Sequence, residues 1–308
     1  MLSAPPRSLD PLQAAFPGRV QFNVPLARYT AALVGGPADA LLIVQSAEEL
    51  ALAVEILWAE EQPYTILGGG SNVLISDAGV RGVVLLNRAK KVRFDLDNAT
   101  IWAESGANFG ALARQAATKA LSGLEWAAGI PGTVGGAVFG NAGAHDGDMA
   151  RHLLEAQILD RLTGRKTWPV EQFQYAYRSS VLKENPGQVI VLSALLQLSH
   201  RSAETIQAKM EAFLAHRHRT QPPGASMGSM FKNPPGDFAG RLIDAAGLKG
   251  TRVGGAEISP LHGNFFINTG ACTATDVYTL IQLARQTVAD KFGIVLALEI
   301  ELLGEWTF

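Results

Sequence analysis

The sequence predicts an α+β fold with more than one domain. A chain of 308 residues is long enough for two or three domains, each with a hydrophobic core of its own. Apolar, strand-like runs and amphipathic helical segments both occur along its length. Two glycine-rich segments, at 66–75 and 129–143, interrupt these patterns. Their glycines indicate loops in which the backbone approaches a ligand closely.

The composition is that of a globular protein in water, with 47% hydrophobic and 18% charged residues. The formal net charge of −2 gives no field that would attract nucleic acid or an anionic membrane. A single cysteine, Cys272, excludes an internal disulfide framework and suits a reducing compartment. Residues 1–11 lack the apolar region of a signal peptide, and no membrane-spanning run follows. We therefore expect a cytoplasmic protein with neither nucleic acid nor membrane as a partner.

The first part of the chain predicts an irregular arm, several strands and two helices. Residues 1–24 contain several prolines and form the expected arm. The sequence at 46–49 has the pattern of a capping box, which starts an amphipathic helix over 47–60. Asn108 is expected to cap a second helix, which ends near Gly123. The expected strands are 41–44, 64–67, pieces of 83–104, 156–161 and 188–198.

The pattern of the sequence changes after His200, and this change predicts a domain boundary near residue 200. A helix with an apolar face that includes Ile206 and Met210 follows the boundary. The last expected helix is long, from a cap at Thr273 to Gly293. The other expected elements are a short helix at 238–246 and strands at 263–267 and 294–303.

The first glycine-rich segment, Ile66–Ile75, contains three consecutive glycines at 68–70. Such a run costs chain entropy on folding and therefore needs a reason. One reason is a nest of backbone N–H groups around a bulky anion, and another is a tight turn between strands; the residues alone leave both open. The dinucleotide fingerprint is absent because Val73 replaces its last glycine and no helix follows. The lysine of a phosphate loop is also missing.

The second glycine-rich segment, at 129–143, predicts a loop. Each glycine in a helix interior costs about 1 kcal/mol relative to alanine, and this segment contains many of them. We therefore expect no stable helix here.

Seven segments together carry a resemblance to one family. They are 66–75, 129–143, 177–180, 228–234, 239–250, 262–265 and 298–300. In order and spacing they resemble the UDP-N-acetylenolpyruvoylglucosamine reductase (MurB) family of peptidoglycan synthesis, over residues 22–304. The glycine-rich segments alone are similar to the wider FAD-binding superfamily of vanillyl-alcohol oxidase. The Gly-Ser-x-Phe-Lys-Asn-Pro sequence at 228–234 is more specific, and the Tyr-Arg-x-Ser form at 177–180 resembles the type II members.

The resemblance implies a particular version of the α+β fold. It implies an FAD-binding domain of the vanillyl-alcohol-oxidase (PCMH) type in two subdomains, plus a C-terminal α+β substrate-binding domain. The first subdomain is expected over 1–67 together with 294–308, and the second over 68–199. The substrate-binding domain is expected over 200–293.

The resemblance also implies an activity, that of a UDP-N-acetylmuramate dehydrogenase. In this activity NADPH, as co-substrate, reduces FAD. Hydride then passes to the enolpyruvyl group of UDP-N-acetylglucosamine enolpyruvate, and UDP-N-acetylmuramate is formed. No sequence feature sets the oligomeric state, and we expect a monomer.

Three catalytic residues are implied by the resemblance: Arg178, Ser229 and Glu299. Arg178 would hold the substrate carboxylate with two hydrogen bonds, Ser229 would donate the proton, and Glu299 would stand beside the developing charge. Without the resemblance, Arg178 is more typical of a surface or stacking residue and Glu299 of a solvated strand residue. Family members often carry Glu-Val-Arg where this chain has Glu299, Ile300 and Glu301. The spacing between Glu299 and Gly304 matches the family pattern, so the resemblance favours Glu299 over Glu301 as the catalytic acid.

The resemblance further implies two sets of binding residues. The FAD candidates are Gly68, Gly69, Gly70, Ser71, Asn72, Gly132, Thr133, Gly136 and Asn141, with Arg28 and Tyr29 at the adenine side. The UDP-sugar candidates are Tyr177, Lys232, Asn233, Arg241, Lys249 and Asn264. His216 and His218 are two apart on a helix and point to different sides, so we expect no metal site.

Two other functions are consistent with parts of this pattern. The first is an alcohol oxidase of the same FAD superfamily, against which the short third domain with Ser229 and Lys232 argues. The second is a non-catalytic regulator that binds flavin or a UDP-sugar. The presence of all three catalytic candidates argues against it.

Overall fold

The structure is a computed structural model and describes residues 8–306. Its helices are α1 Asp10–Ala15, α2 Ala47–Ala59, α3 Phe109–Thr118, α4 Val134–Gly140, α5 Ala203–Thr220, α6 Ala239–Ala245 and α7 Ala274–Phe292. The first strands are β1 Gln21–Pro25, β2 Pro37–Val44, β3 Tyr64–Leu67, β4 Val73–Ile75, β5 Val80–Asn87, β6 Val92–Asp95, β7 Thr100–Glu104, β8 Leu121–Ser122, β9 Gly143–Ala144 and β10 Gly147–Asp148. The remaining strands are β11 Leu153–Asp160, β12 Gly164–Pro169, β13 Val189–Gln197, β14 Ser199–His200, β15 Ala225–Ser229, β16 Arg252–Val253, β17 Ala256–Ile258, β18 Phe265–Asn268 and β19 Glu301–Leu303.

The chain forms two compact units. The first joins residues up to 24, 38–68 and 81–210, and the second joins 25–37, 69–80 and the residues from 211 onward. The glycine-rich loop at 68–72 is divided between them, since Gly68 belongs to the first unit. The predicted three-part division stays a prediction. Its positions 1–7 and 307–308 lie outside the described residues.

The first unit contains two larger sheets. One has the strand order β1-β2-β5-β3, and the other has the order β12-β11-β13-β7-β6. Helix α2 packs Leu50, Val54 and Leu57 into a core with Leu42 and Leu85 of the first sheet. All of these side chains are fully buried, because the apolar residues of α2 recur at helical spacing.

Local capping signals set the starts of two first-unit helices. The Ser46 side chain accepts a hydrogen bond from Glu49 N, so one half of the predicted capping box forms. The Glu49 carboxylate instead accepts from Gln45 N and forms an ion pair with Arg19. The Asn108 side chain accepts from Ala111 N, which confirms the predicted cap of α3.

The prediction that the second glycine-rich segment forms no helix is wrong. Helix α4 occupies Val134–Gly140, capped by Thr133, whose Oγ1 accepts from Gly136 N. Val134 and Val138 of α4 are fully buried, and a Cβ at Gly135 would lie 2.8 Å from Ser105 Cβ. Glycine is therefore required here for close packing, and the burial of the apolar positions offsets its low helix propensity.

The second unit has a four-stranded sheet in the order β15-β18-β17-β16. Helix α7 buries Val277, Leu280 and Ile281 in the core of this unit. It starts at a reciprocal capping box between Thr273 and Asp276 and ends at a left-handed Gly293, as the sequence predicts. The short strands β4 and β19 form a separate parallel pair.

Two sequence predictions need correction. The arm expected at 1–24 contains α1 and β1 within the described residues. Leu12 and Phe16 anchor this segment because both are buried in the first-unit core. The strand expected at 294–303 is limited to Glu301–Leu303. Upstream of it, Leu298 makes only an isolated bridge to Phe231, so an apolar run becomes an irregular segment.

No helix within residues 8–306 combines the length and the apolar character needed to cross a membrane.

Candidate active site

The first glycine of the loop, Gly68, is packed against the start of α4. A Cβ atom at Gly68 would lie 2.6 Å from Thr133 Oγ1, so a side chain cannot be accommodated without displacement. The carbonyl oxygen of Gly68 accepts a 2.8 Å hydrogen bond from Arg88 Nη1. The structure therefore brings two predicted FAD residues, Gly68 and Thr133, into contact in the first unit.

One side of α4 is bare backbone. Gly136 and Gly140 lie four residues apart and therefore share a helical face. A Cβ at Gly136 would meet only Thr133 Oγ1, at 3.5 Å, and a Cβ at Gly140 would meet nothing within 4 Å. Gly132 has a φ of 125°, and its carbonyl accepts from Phe109 N. This face has room for a flat group against the backbone.

The end of α4 anchors the loop that carries Arg178. The Tyr175 hydroxyl donates to the carbonyl oxygen of Val138 at 2.9 Å, and Ser180 Oγ donates to that of Phe139 at 2.6 Å. Both carbonyls belong to the last turn of α4, whose acceptors have no partner within the helix. Burial raises the pKa of Tyr175 far above its ordinary value, so this hydroxyl stays protonated.

Asn141 adds a third anchor to the same loop. Its Nδ2 donates to Ala176 O at 3.0 Å, and its Oδ1 accepts from Ala150 N at 3.0 Å. The residue is buried and left-handed, with a φ of 46°, at the C-terminal end of α4. Both polar atoms of this predicted FAD residue's side chain are thus hydrogen-bonded to the protein backbone.

Arg178 stands at the tip of the anchored loop. Ala176 and Ser179 exchange two backbone hydrogen bonds of 3.1 Å, which close the loop around Tyr177 and Arg178. Arg178 has a φ of 53°, an uncommon conformation for a residue with a Cβ. Its guanidinium lies 5.7 Å from the ring centroid of Tyr177, which is 57% exposed. The tip is therefore a fixed cation next to an accessible aromatic ring.

The rest of the glycine loop lies against residues 28–31 of the second unit. Gly70 has a φ of 61°, and a Cβ there would lie 2.0 Å from Tyr29 O. Gly70 O accepts from Ala31 N at 2.9 Å. The guanidinium of Arg28 lies 4.8 Å from the Tyr29 ring, and Arg28 is exposed. The two predicted adenine-side residues are thus neighbours of the loop backbone. Gly69 and Asn72 are exposed, and Ser71 is half-buried.

Backbone contacts bring the segments of Ser229 and Glu299 together in the second unit. Glu299 N donates to Met230 O at 2.9 Å, and Lys232 N donates to Ala297 O at 2.8 Å. The Asn72 side chain donates to Glu299 O at 3.1 Å. The predicted proton donor, the predicted acid and one predicted FAD residue therefore lie on three adjacent segments.

Asn264 lies behind this arrangement, with 3% of its surface exposed. Its side chain accepts from Phe231 N at 2.9 Å and donates to Phe231 O at 2.8 Å. Its main-chain carbonyl accepts from Met230 N at 2.8 Å. This predicted substrate residue therefore uses its amide to hold the backbone that follows Ser229.

The four other predicted substrate residues of the second unit differ in their partners. Asn233 Oδ1 accepts from Ala239 N at 3.1 Å. Arg241 forms a bidentate ion pair with Asp237, and Lys249 pairs with Asp244 at 2.7 Å. The Arg241 guanidinium lowers the pKa of Asp237 to about 2. Lys232 is half-buried.

Two family models match parts of this chain. Residues 38–166 match the family model described as FAD binding domain. Residues 219–303 match the model of the UDP-N-acetylenolpyruvoylglucosamine reductase C-terminal domain. A UDP-N-acetylenolpyruvoylglucosamine reductase of Rubrobacter xylanophilus is 46% identical over 295 residues, which cover 96% of this chain and 98% of the relative. The chain belongs to the MurB family.

Solved structures extend the comparison. The MurB structure from Thermus caldophilus matches with a TM-score of 0.79 and 39% identity, over 92% of this chain and 99% of that one. The Bermuda grass isoallergen BG60 matches 64% of this chain and 45% of its own, with a TM-score of 0.51 and 18% identity, which shows a shared fold alone. The predicted fold class, an FAD-binding domain followed by a C-terminal MurB domain, is confirmed.

The sequence does not identify the residues that anchor the Arg178 loop. Tyr175 and Ser180 act through hydrogen bonds to backbone carbonyls of α4, and such bonds leave no spacing signal. Within residues 8–306, no group of three or more histidine, cysteine, aspartate or glutamate side chains is placed to hold a metal ion.

Proposed function

We propose that this chain is an FAD-containing, NADPH-dependent UDP-N-acetylenolpyruvoylglucosamine reductase. Family membership over nearly the whole chain supports the reaction. The observation that carries the residue assignments is the convergence of the Ser229, Glu299 and Asn72 segments through backbone bonds. The substrate is UDP-N-acetylglucosamine enolpyruvate, and the product is UDP-N-acetylmuramate.

FAD fits the glycine-rich surfaces. In the second unit, the exposed backbone at Gly69 leaves room for a pyrophosphate. In the first unit, the bare face of α4 at Gly136 and Gly140 leaves room for a flat ring. Gly68 and Gly70 keep the loop in place, because side chains at these positions would collide with the protein. When bound, FAD supplies the redox chemistry, in which hydride enters from NADPH and leaves to the enolpyruvyl double bond. The cofactor residues are the glycine loop, Gly132 and Thr133, while Asn141 positions the end of α4.

Arg178 holds the enolpyruvyl carboxylate. Its planar guanidinium can meet a carboxylate with two parallel hydrogen bonds, and its charge is permanent. Negative charge grows on this carboxylate when hydride reaches the neighbouring double bond. A fixed cation stabilises the transition state more than the ground state, which is the requirement for catalysis. The three anchors on α4 support this role, since they limit the movement of the Arg178 loop.

Ser229 donates the proton that completes the reduction. Protonation of the carbon next to the carboxylate discharges the negative charge built up by hydride addition. Glu299 lies on the paired segment, where it assists this proton transfer. The hydrogen bond of Asn72 to Glu299 O links this segment to the cofactor loop.

The UDP group is held by Lys232, Asn233, Arg241 and Lys249, with Tyr177 against the sugar. Arg241 and Lys249 each have a carboxylate partner, Asp237 and Asp244, and both cations have further N–H donors, so a diphosphate can either join or replace these contacts. These exposed ion pairs contribute little to stability and can exchange at low cost. The three-part domain division, the monomeric state and the cytoplasmic location belong to the same proposal.

NADPH consumption with and without the enolpyruvyl UDP-sugar tests the reaction. Fast oxidation of NADPH that requires the UDP-sugar, with one UDP-N-acetylmuramate formed per NADPH, is the expected result. Oxygen-dependent oxidation of an alcohol substrate would identify an oxidase instead. Tight binding of the UDP-sugar to the FAD-loaded protein without any turnover would identify a regulator.

A further inference from the structure

The neighbourhood of Ser229 is built on a chain of hydrogen bonds that starts at His262. The Nδ1 atom of this ring accepts a 3.1 Å bond from Asn264 N. A nitrogen that accepts has no hydrogen of its own, so the proton of the neutral ring lies on Nε2. The His262 backbone is held in turn, since its N–H donates to Ser259 Oγ and its carbonyl accepts from Phe265 N.

Asn264, which is bonded to His262, also holds the backbone that follows Ser229. Three bonds, of 2.8 to 2.9 Å, join it to the backbone of Met230 and Phe231. Ser229 itself is opposite Phe265 in the register of β15 and β18. A register shift between Ser226 and Ser229 interrupts that ladder, so the Asn264 bonds replace regular strand pairing just after Ser229.

The His262 ring is fixed by its surroundings. It meets the Phe265 ring edge to face, with 4.9 Å between the centroids. On the other side, a Cβ at Gly240 would lie 2.9 Å from His262 Cε1, so α6 closes tightly over the ring. Burial, with a smaller contribution from the nearby charge of Lys249, lowers the pKa of His262, and Lys249 is itself paired with Asp244. A second proton on the ring would point from Nδ1 at the Asn264 N–H and break the contact.

We infer that His262, in its Nε2–H form, and Asn264 are positioning residues that set the backbone of Ser229 for proton donation. This inference rests on the proposed function, because it takes Ser229 as the proton donor. His262 acts through Asn264 and needs no contact with the substrate. Its contribution is an acceptor at the position of Nδ1 and a rigid ring between α6 and Phe265.

Two substitutions test whether His262 acts through its acceptor nitrogen Nδ1 or through the packing of its ring. His262→Leu removes the acceptor, and we expect reoxidation of the reduced enzyme by the enolpyruvyl UDP-sugar to slow ~10- to 100-fold, the scale of one or two lost hydrogen bonds. His262→Asn places an amide oxygen near the Nδ1 position, and it should recover most of that rate. Reduction by NADPH should change less than about twofold in both, since the loss is confined to the proton-transfer step. His218→Leu, at an exposed histidine of α5, is the matched control.

A double-mutant cycle with Ser229→Ala decides whether the effect passes through Ser229. Residues that act through one group are non-additive, so His262→Leu should cause no further slowing in the Ser229→Ala background. Slowing of equal size in both backgrounds would overturn the inference while leaving the proposed function intact. Normal reoxidation in Ser229→Ala alone would instead overturn the proton-donor role. Nitrogen-15 NMR of the histidine rings is a readout without turnover: a proton on Nδ1 of neutral His262 would also overturn the inference.

Discussion

Asn141 Nδ2 donates a 3.0 Å hydrogen bond to the carbonyl oxygen of Ala176, two residues before Arg178. The same side chain accepts from Ala150 N. Gly68 thus packs against Thr133, the capping residue of α4, and the Arg178 loop is bonded to the last turn of the same helix. One short helix of the first unit therefore supports both a proposed cofactor residue and the loop of the proposed carboxylate ligand.

Loss of the Asn141 amide should loosen the Arg178 loop. Asn141→Ala removes two hydrogen bonds of a buried side chain, and we expect a loss of about 2–4 kcal/mol in unfolding free energy. It also places alanine in a left-handed conformation, which costs about 1 kcal/mol more than glycine there. Asn141→Gly removes the same amide without that strain and is the matched variant. Denaturant unfolding measures both, and equal stability of Asn141→Ala and the unchanged protein would contradict the structure.

The adjacent glycines Gly69 and Gly70 should respond differently. Gly69 is exposed, and a valine side chain there would occupy the space proposed for the pyrophosphate, so Gly69→Val should abolish FAD binding while the fold survives. Gly70→Ala should cost more than about 2 kcal/mol of stability, from left-handed strain and collision with Tyr29 O. Gly164→Ala is the control for strain alone, because Gly164 has a φ of 73° and nothing within 4 Å of its Cβ position. Flavin absorbance and thermal unfolding distinguish these outcomes. A Gly69→Val protein with stoichiometric FAD would remove this loop from the site.

Arg178 should act through geometry as well as charge. Arg178→Lys keeps a cation but loses the forked contact, so reoxidation by the enolpyruvyl UDP-sugar should slow ~10-fold or more. Reduction by NADPH should change far less. Arg93→Lys is a suitable control, since Arg93 also stacks on an aromatic ring, at 4.8 Å from the Trp102 centroid. Equal losses in both half-reactions would mean that Arg178 supports the fold or the flavin instead.

His262 should make the stability of the protein depend on pH below neutrality. Burial, with a smaller contribution from Lys249, lowers the pKa of His262 below its ordinary value of about 6.5. The unfolded chain therefore binds a proton at higher pH than the folded one does. The stabilisation is fully present above about pH 6.5 and is lost as the pH falls through the folded pKa. His262→Asn should remove this component of the pH dependence, which unfolding curves between pH 5 and 7.5 can measure (about the range of histidine titration). An unchanged pH dependence in His262→Asn would show that other groups are responsible.

The elements that local signals specify were predictable. Thr273 and Gly293 bound α7 through contacts within a few residues, so the sequence carries the full information. Helix α4 was not predictable, because its stability depends on burial of Val134 and Val138 and on the approach of Gly135 to Ser105. Intrinsic propensity carries no information on such tertiary packing.

The same distinction applies to the candidate site. The glycine loop and Arg178 stand out as motifs, but Tyr175 and Ser180 bond to carbonyls 37 and 41 residues away in the chain. Nor does sequence indicate that Asn141 and Asn264 use their amides on backbone groups. An asparagine in a motif predicts a ligand contact and a structural contact equally well, and only the fold distinguishes them.

The Ser229→Ala variant tests the proposed role of Ser229 as the proton donor. Flavin reduction by NADPH, followed by stopped-flow absorbance, should proceed at close to the normal rate. Reoxidation by the enolpyruvyl UDP-sugar should be slower by ~10²–10⁴-fold, the usual effect of losing a positioned acid. Ser226→Ala, in the same strand, is the matched control and should leave both rates unchanged. Normal reoxidation in Ser229→Ala, or a deficit that disappears at saturating substrate, would contradict the assignment of Ser229 as the proton donor.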